Sequence, residues 1–236
     1  MIETGRPFYG QNVGILVFST KTPRIPGDAG HAETFNYPVM YEIVTGGFAD
    51  LIEGGEVIKQ NLITACNNLK AKGAKAIVGD CGLMSLYQNV LGKECGLPVV
   101  ASSLSQIPFI WEMIGRSGTI GVVTGHSELL SKAHLENSGV KNDMNVKLQG
   151  LQDEKHFEEI VIKGGLNLDV DLMRKDIINA TRKLVESTDD LKAIVFECSN
   201  IASFSKDVYD RFKIPVFDVI SASNILEYSV NPEYYL

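Results

Sequence analysis

A segment of this chain occurs twice, and that repeat limits the available folds more than any other feature. Lys75-Ala76-Ile77-Val78-Gly79-Asp80-Cys81 matches Lys192-Ala193-Ile194-Val195-Phe196-Glu197-Cys198 at an offset of 117 residues. The register holds downstream without a gap: Tyr87 falls on Phe204, Leu91 on Val208, and Leu97-Pro98-Val99 on Ile214-Pro215-Val216. Upstream, the helical stripe Ile58, Leu62, Ala65 and Leu69 meets Met173, Ile177, Ala180 and Leu184 at an offset of 115. The opening runs Val13-Gly14-Ile15-Leu16-Val17 and Ile120-Gly121-Val122-Val123-Thr124 match at 107. The difference is assigned to about ten extra residues in the first half, in the loop 21–38. Self-similarity on this scale marks a duplicated supersecondary unit.

Short apolar runs alternate with stretches of helical period, the pattern of parallel sheets covered by helices. Strands are expected at 13–18, 76–79, 99–101, 119–123, 146–148, 193–196 and 216–219. The two stripes above supply crossover helices. The expected fold class is therefore α/β, with two similar Rossmann-like (flavodoxin-like) lobes related by a pseudo-twofold axis, each a parallel sheet flanked by helices. The lobes are placed at 1–116 and 117–216, with the segment 217–236 packing back on the first. The polar segment 137–165 carries no expectation beyond its short strand.

The 236 residues, 44% hydrophobic, suffice for a substantial core. A formal charge of -7 argues against nucleic-acid or anionic-membrane surfaces, which need clustered Lys and Arg. No apolar run approaches the roughly 20 residues of a membrane span. The N-terminus Met1-Ile2-Glu3-Thr4-Gly5-Arg6-Pro7 is polar rather than signal-like. The expectation is a cytoplasmic protein with reduced thiols, whose partners are a small molecule and, as a homo-oligomer, further copies of itself.

The repeat also sorts the four cysteines. Cys66 falls opposite Thr181 and Cys95 opposite Phe212, as packing residues do, whereas Cys81 and Cys198 coincide. Each of the coincident pair ends an apolar strand and opens a helix, at the carboxyl edge of a parallel sheet where α/β proteins hold ligands. A helix N-terminus lowers a thiol pKa, so a thiolate near neutral pH is expected. Strand alternation is expected to turn the neighbouring acids Asp80 and Glu197 to the opposite side. Failing that, they would keep one thiol protonated, as an acid and base pair requires.

Backbone amides at Gly82 and Ser199, with the side chains of Ser199 and Asn200, are candidate donors to a developing enolate. Ser19 and Thr20 follow the first strand, and Thr124, Gly125 and Ser127 follow its counterpart. They are candidate carboxylate binders on the same edge, and equally suited to capping helices. The loop 21–38, stiffened by prolines and loosened by glycines, would bring Arg24 to a carboxylate if it closes over the cleft. A solvated loop at a dimer contact suits the same residues. His126 is a candidate substrate contact or a cap. His31, His134 and His156 form no spaced ligand set, so no metal is expected. The absence of G-x-G-x-x-G after the first strand, of a Walker A sequence and of G-x-S-x-G argues against dinucleotide, nucleotide and serine-hydrolase chemistry.

With these residues in view, the chain resembles the aspartate, glutamate and hydantoin racemase superfamily over essentially its full length. The resemblance is carried by Ala76-Ile77-Val78-Gly79-Asp80-Cys81-Gly82, by Ile194-Val195-Phe196-Glu197-Cys198-Ser199-Asn200, and by Gly118-Thr119-Ile120-Gly121-Val122-Val123-Thr124. It implies two lobes with one cysteine on each side of a cleft, no pyridoxal phosphate or other cofactor, and proton transfer at a carbon beside a carboxylate. The expected activity is that of a racemase or isomerase of a small carboxylic acid in amino-acid metabolism, with Cys81 and Cys198 as its two bases. Maleate isomerases and arylmalonate decarboxylases look similar and would lean on one cysteine, and a binding protein that kept the cleft is a further alternative. Gly82-Leu83 and Ser199-Asn200 depart from the Asn-Thr and Thr-His that usually follow the two cysteines, which leaves the substrate open.

Overall fold

Continuous aliphatic runs that are too short for helices and covered on both faces form parallel strands. In a computed structural model, which describes residues 5–235, they build two four-stranded sheets. Met1–Thr4, part of the polar N-terminus considered above, lie outside the described residues. The first sheet holds β1 (Val13–Phe18), β2 (Val39–Val44), β3 (Ala76–Gly79) and β4 (Val99–Val100), in the order β2-β1-β3-β4. The second holds β5 (Thr119–Thr124), β6 (Val146–Gly150), β7 (Leu191–Phe196) and β8 (Val216–Phe217), in the order β6-β5-β7-β8. Every pairing is parallel, and the two orders are the same order repeated. The chain is thus a two-lobed α/β protein.

β2 has no counterpart among the strands expected from sequence. It is an edge strand paired with β1 alone, and only Met40 and Val44 of it are buried, so neither a continuous nor an alternating apolar pattern marks it. Its register corrects the repeat. Val13 pairs with Val39 as Ile120 pairs with Val146, so the offset of 107 covers both opening strands of each lobe. The loop 21–38 therefore has a counterpart of equal length, and the extra residues belong to the second lobe. Eight lie between β6 and the helix Val170–Glu186, and two between that helix and β7. The longer stretch folds into a short helix, Lys155–Phe157, running on into a π-turn at Glu158–Ile162.

The stripes Ile58, Leu62, Ala65, Leu69 and Met173, Ile177, Ala180, Leu184 are buried faces of the helices Glu56–Lys72 and Val170–Glu186. The first ends at Gly73 in the left-handed region, at φ 110°, where its amide closes on the carbonyls of Leu69 and Lys70. The second starts at Asp169, whose side chain accepts from the amides of Asp171 and Leu172.

The lobes exchange their remaining cover. The helix Ile107–Met113, near the end of the first half, packs on β5, and the turn Ser103–Gln106 before it packs on β7. The helix Val219–Val230 returns to β1 and β3, seating Val219 and Leu226 against Val13, Ile15, Ala76 and Val78. Where the two exchanged segments meet, Gln106 Nε2 donates to the carbonyl of Asp218 at 2.8 Å. Among the described residues no helix is long and apolar enough to cross a membrane.

Candidate active site

Parallel sheets put the carboxyl ends of their strands on one edge, and the exchange turns the two edges toward each other. Just beyond β3 and β7, the amide of Asp80 bonds the Leu16 carbonyl at 3.0 Å and that of Glu197 the Val123 carbonyl at 2.9 Å. Cys81 and Cys198 come next, each capping a 3-10 turn, Gly82–Tyr87 and Ser199–Phe204. Both thiols line one cleft of about 280 Å³ between the lobes. Thr20, Arg24 and Gly82 join Cys81 on the first-lobe side, and Thr124, Gly125, Ser199 and Asn200 join Cys198 on the second. Ser19 and Ser127 fall outside the lining. The Ser19 amide extends the sheet to the Val44 carbonyl, and Ser127 is held by the side-chain amide of Gln152. Cys66 and Cys95 are buried in the first-lobe core.

The acids do not turn away. Alternation ends with the strands, and both Asp80 and Glu197 line the cleft beside the thiols. Asp80 Oδ1 accepts from the Phe18 amide at 2.9 Å, and its Oδ2 accepts from Arg24 Nη2 at 2.7 Å. Arg24 Nη1 donates to Asp28 Oδ1 at 2.6 Å, and Asn200 Nδ2 donates to Asp28 Oδ2 at 2.7 Å. The Cys198 thiol donates to Asn200 Oδ1 at 3.6 Å. A bonded chain thus runs from β3 through the loop to the second-lobe thiol. The loop is a packed strap, not a solvated one: at Gly27, φ 102°, a Cβ would lie 2.5 Å from Ser203 Cα across the gap. Glu197 Oε2 accepts from Thr124 Oγ1 at 2.8 Å.

Burial pushes the Asp80 carboxyl up to about 6 against the opposing charge of Arg24, and burial raises Glu197 as well. It also raises both thiols, contrary to the lowered values expected from sequence. Cys81 is driven well up by burial, then by Glu197 and Asp80. Cys198 is driven up by burial, Glu197 and Asp28, while the backbone amide of Asn200 and the charge of Arg24 pull the other way. One short turn's amides do not offset the loss of water beside two carboxylates. Both thiols therefore hold their protons at neutral pH.

The apolar wall lies on residues that the sequence reading passes over. Phe157, Val161 and Ile162 come from the second-lobe insertion, opposite Phe18 and Phe48, whose rings meet edge to face at 5.7 Å. The signals were available: the widened offset marks the insertion, and an acid precedes each cysteine. The cleft thus combines aromatic walls, two thiols and buried carboxylates in excess of its one guanidinium. That excess of negative charge suits a small molecule with a positive charge.

No family model matches the chain. It is 30% identical over 235 residues to a dimethylsulfoniopropionate lyase of Durusdinium sp. clade D, across 95% of this chain and 77% of that one. It is 28% identical over 236 residues to dimethylsulfoniopropionate lyase 6 of Emiliania huxleyi strain CCMP1516, across 94% of this chain and 61% of the relative. The chain therefore spans less than two thirds of that second relative. Among solved structures, unliganded arylmalonate decarboxylase superposes with a TM-score of 0.63 at 12% identity over 94% of each chain. Picrophilus torridus aspartate racemase does so with 0.61 at 14% identity over 96% of each. These structures bear out the two-lobed α/β fold that the motifs imply. The two lyases overturn the expected racemase or isomerase of amino-acid metabolism. The motif places a cysteine at the end of a strand in each lobe, but nothing in it encodes which reaction the cleft carries out.

Proposed function

Because the chain belongs to the family of the dimethylsulfoniopropionate lyases, on the fold of the aspartate, glutamate and hydantoin racemase superfamily, we propose that it splits dimethylsulfoniopropionate, or a close β-sulfonio carboxylate, into dimethyl sulfide and acrylate. The observation that carries this reading is the pairing of thiols with the buried carboxylates Asp80 and Glu197 in one cleft.

A base removes the proton next to the carboxylate, the C–H electron pair becomes the new C=C bond, and the C–S pair departs on sulfur. The sulfide leaves neutral, so no acid is needed on the opposite face, unlike in a two-base inversion. A sulfonium seated beside Asp80 and Glu197 offsets the negative charge that holds the thiols protonated, so the substrate favours formation of its own base. Cys198 is that base. Arg24, opposed by Asp28, acts on Cys198, whereas Cys81 faces Glu197 and Asp80 without a cation among its dominant influences; one backbone amide, of Asn200 and of Leu83, eases each thiol alike. Glu197, buried beside the thiol in the same cleft, is the carboxylate that takes up the Cys198 proton. The amides of Gly82 and Ser199 and the Ser199 hydroxyl are the donors for the enolate, with Thr20 at the rim. The sulfonium methyl groups lie against Phe18 and Phe48, since aromatic rings attract onium cations. Arg24, Thr124, Gly125 and Asn200 act as positioning residues through Asp80, Asp28, Glu197 and Cys198.

The test is headspace chromatography for dimethyl sulfide with proton NMR for acrylate, on purified protein and dimethylsulfoniopropionate. Equal amounts of both products are expected. Cys198→Ala is expected to lower turnover by roughly 10²- to 10⁴-fold, the range for losing a general base, and Cys81→Ala by clearly less. No dimethyl sulfide from the intact protein would overturn the activity, and equal collapse of the two variants would overturn the choice of base.

A further inference from the structure

Among the described lining residues, two can carry positive charge, Arg24 and His126, and one of them is already committed. Both terminal nitrogens of Arg24 donate to buried carboxylates, Asp28 and Asp80, and its side chain is 16% exposed. A substrate carboxylate approaching it would meet those two anions first. His126 opens the turn after β5, where its carbonyl accepts from the Leu129 amide at 3.2 Å, and the residue lines the cleft. The ring's Nδ1 is sealed from solvent and has no hydrogen-bond partner.

That seal decides the tautomer. A proton on Nδ1 would be a buried donor with nothing to receive it, bearing the full penalty of lost hydration, so the neutral ring holds its proton on Nε2. We infer that His126, through its Nε2–H, receives the carboxylate of the bound substrate. The hydroxyls of Thr20 and Thr22, and the Gly82 and Ser199 donors already given to the enolate, add hydrogen bonds to the same carboxylate. The inference rests on the lyase reading for the identity of the cationic end of the substrate. The carboxylate contact itself holds for any small carboxylate in the cleft. With the sulfonium drawn to Asp80 and Glu197 and the carboxylate to His126, the carbon that loses its proton lies between them.

Acrylate, the product, is the probe, and its neutral counterpart acrylamide is the control, both measured by isothermal titration. His126→Leu removes the donor, and His126→Gln returns an N–H donor at similar reach. Acrylate is expected to bind His126→Leu roughly ten- to a hundredfold more weakly than the parent, the range for losing a hydrogen bond to a charged group. His126→Gln is expected to stay within a few-fold of the parent, and acrylamide to bind all three alike. With dimethylsulfoniopropionate, His126→Leu is expected to raise KM and leave kcat within a few-fold. Acrylate binding unchanged in His126→Leu overturns the inference, as does a folded His126→Gln as weak as His126→Leu, or a parent protein that binds no small carboxylate. Acrylate bound through His126 by a protein that releases no dimethyl sulfide would uphold this assignment while overturning the lyase reading.

Discussion

Gly82 has no room for a side chain: a Cβ there would lie 1.9 Å from Glu197 Oε1, which reaches across the cleft. Gly82→Ala is expected to push Glu197 off its seat, lowering stability by about 1–3 kcal/mol, as overpacking does, and suppressing dimethyl sulfide release. Thermal melting and headspace assay of the same preparation check both. Asp80 sets a pH limit. Its carboxyl stands at about 6 in the fold against 3.8 ordinarily, so the folded chain binds that proton more tightly. The stabilisation is full below pH 3.8 and is lost as pH rises through 6. Activity runs the other way, because only the carboxylate can hold Arg24 and face a sulfonium. kcat/KM is expected to fall as pH drops below about 6, and Asp80→Asn to be low and flat there; an acid limb surviving in Asp80→Asn assigns it to another group. The thiol pair was legible from sequence because duplication puts Cys81 and Cys198 in register. The use of Asp80 and Glu197 was not, since alternation predicts their direction only while a strand lasts. Arg24 was legible as a cation on a loop, but its partners Asp28 and Asp80 sit together only once the strap is packed.

The second-lobe insertion separates the wall of the cleft from the core of the lobe within one turn of chain. Phe157 is fully buried and touches the Gly125 position, whereas Ile162, five residues on, is 44% exposed and faces the cleft. Phe157→Ala is expected to lower stability by about 3–5 kcal/mol through the cavity it leaves, which denaturant titration reads directly. Ile162→Asn is expected to leave stability within about 0.5 kcal/mol and to raise KM for a sulfonium substrate by removing part of the apolar wall. A KM unchanged in Ile162→Asn would take this segment out of substrate binding. The elements that were easiest to read are those whose burial is one-sided or complete: the helices Glu56–Lys72 and Val170–Glu186 by their stripes, and the central strands by their unbroken apolar runs. β2 escaped because an edge strand with two buried residues carries neither pattern. Without it the repeat had no anchor between β1 and the first helix, and the insertion was assigned to the wrong lobe.

At the scale of the whole molecule, exchanged cover couples the two lobes, and they are expected to unfold as one unit. Leu226, on the returning helix Val219–Val230, packs on the first sheet with Val13, Ile15, Ala76 and Val78. Trp111, the single tryptophan of the chain, is 6% exposed on the helix Ile107–Met113 that covers β5 of the second sheet. The exchanged segments are tied by the Gln106 bonds to Asp218 and Ser221, so loosening one withdraws support from the other. Leu226→Ala is expected to destabilise the protein by about 2–4 kcal/mol. The denaturant midpoint of Trp111 fluorescence should move by the same amount as that of far-UV circular dichroism, although the substitution and the fluorophore lie on different sheets. Independent lobes would give another result: Trp111 would keep its midpoint and the dichroism would resolve into two transitions. Coincident transitions would also mean that Cys81 and Cys198 lose their shared cleft in one step, so lyase activity should vanish over the same denaturant range as the fluorescence.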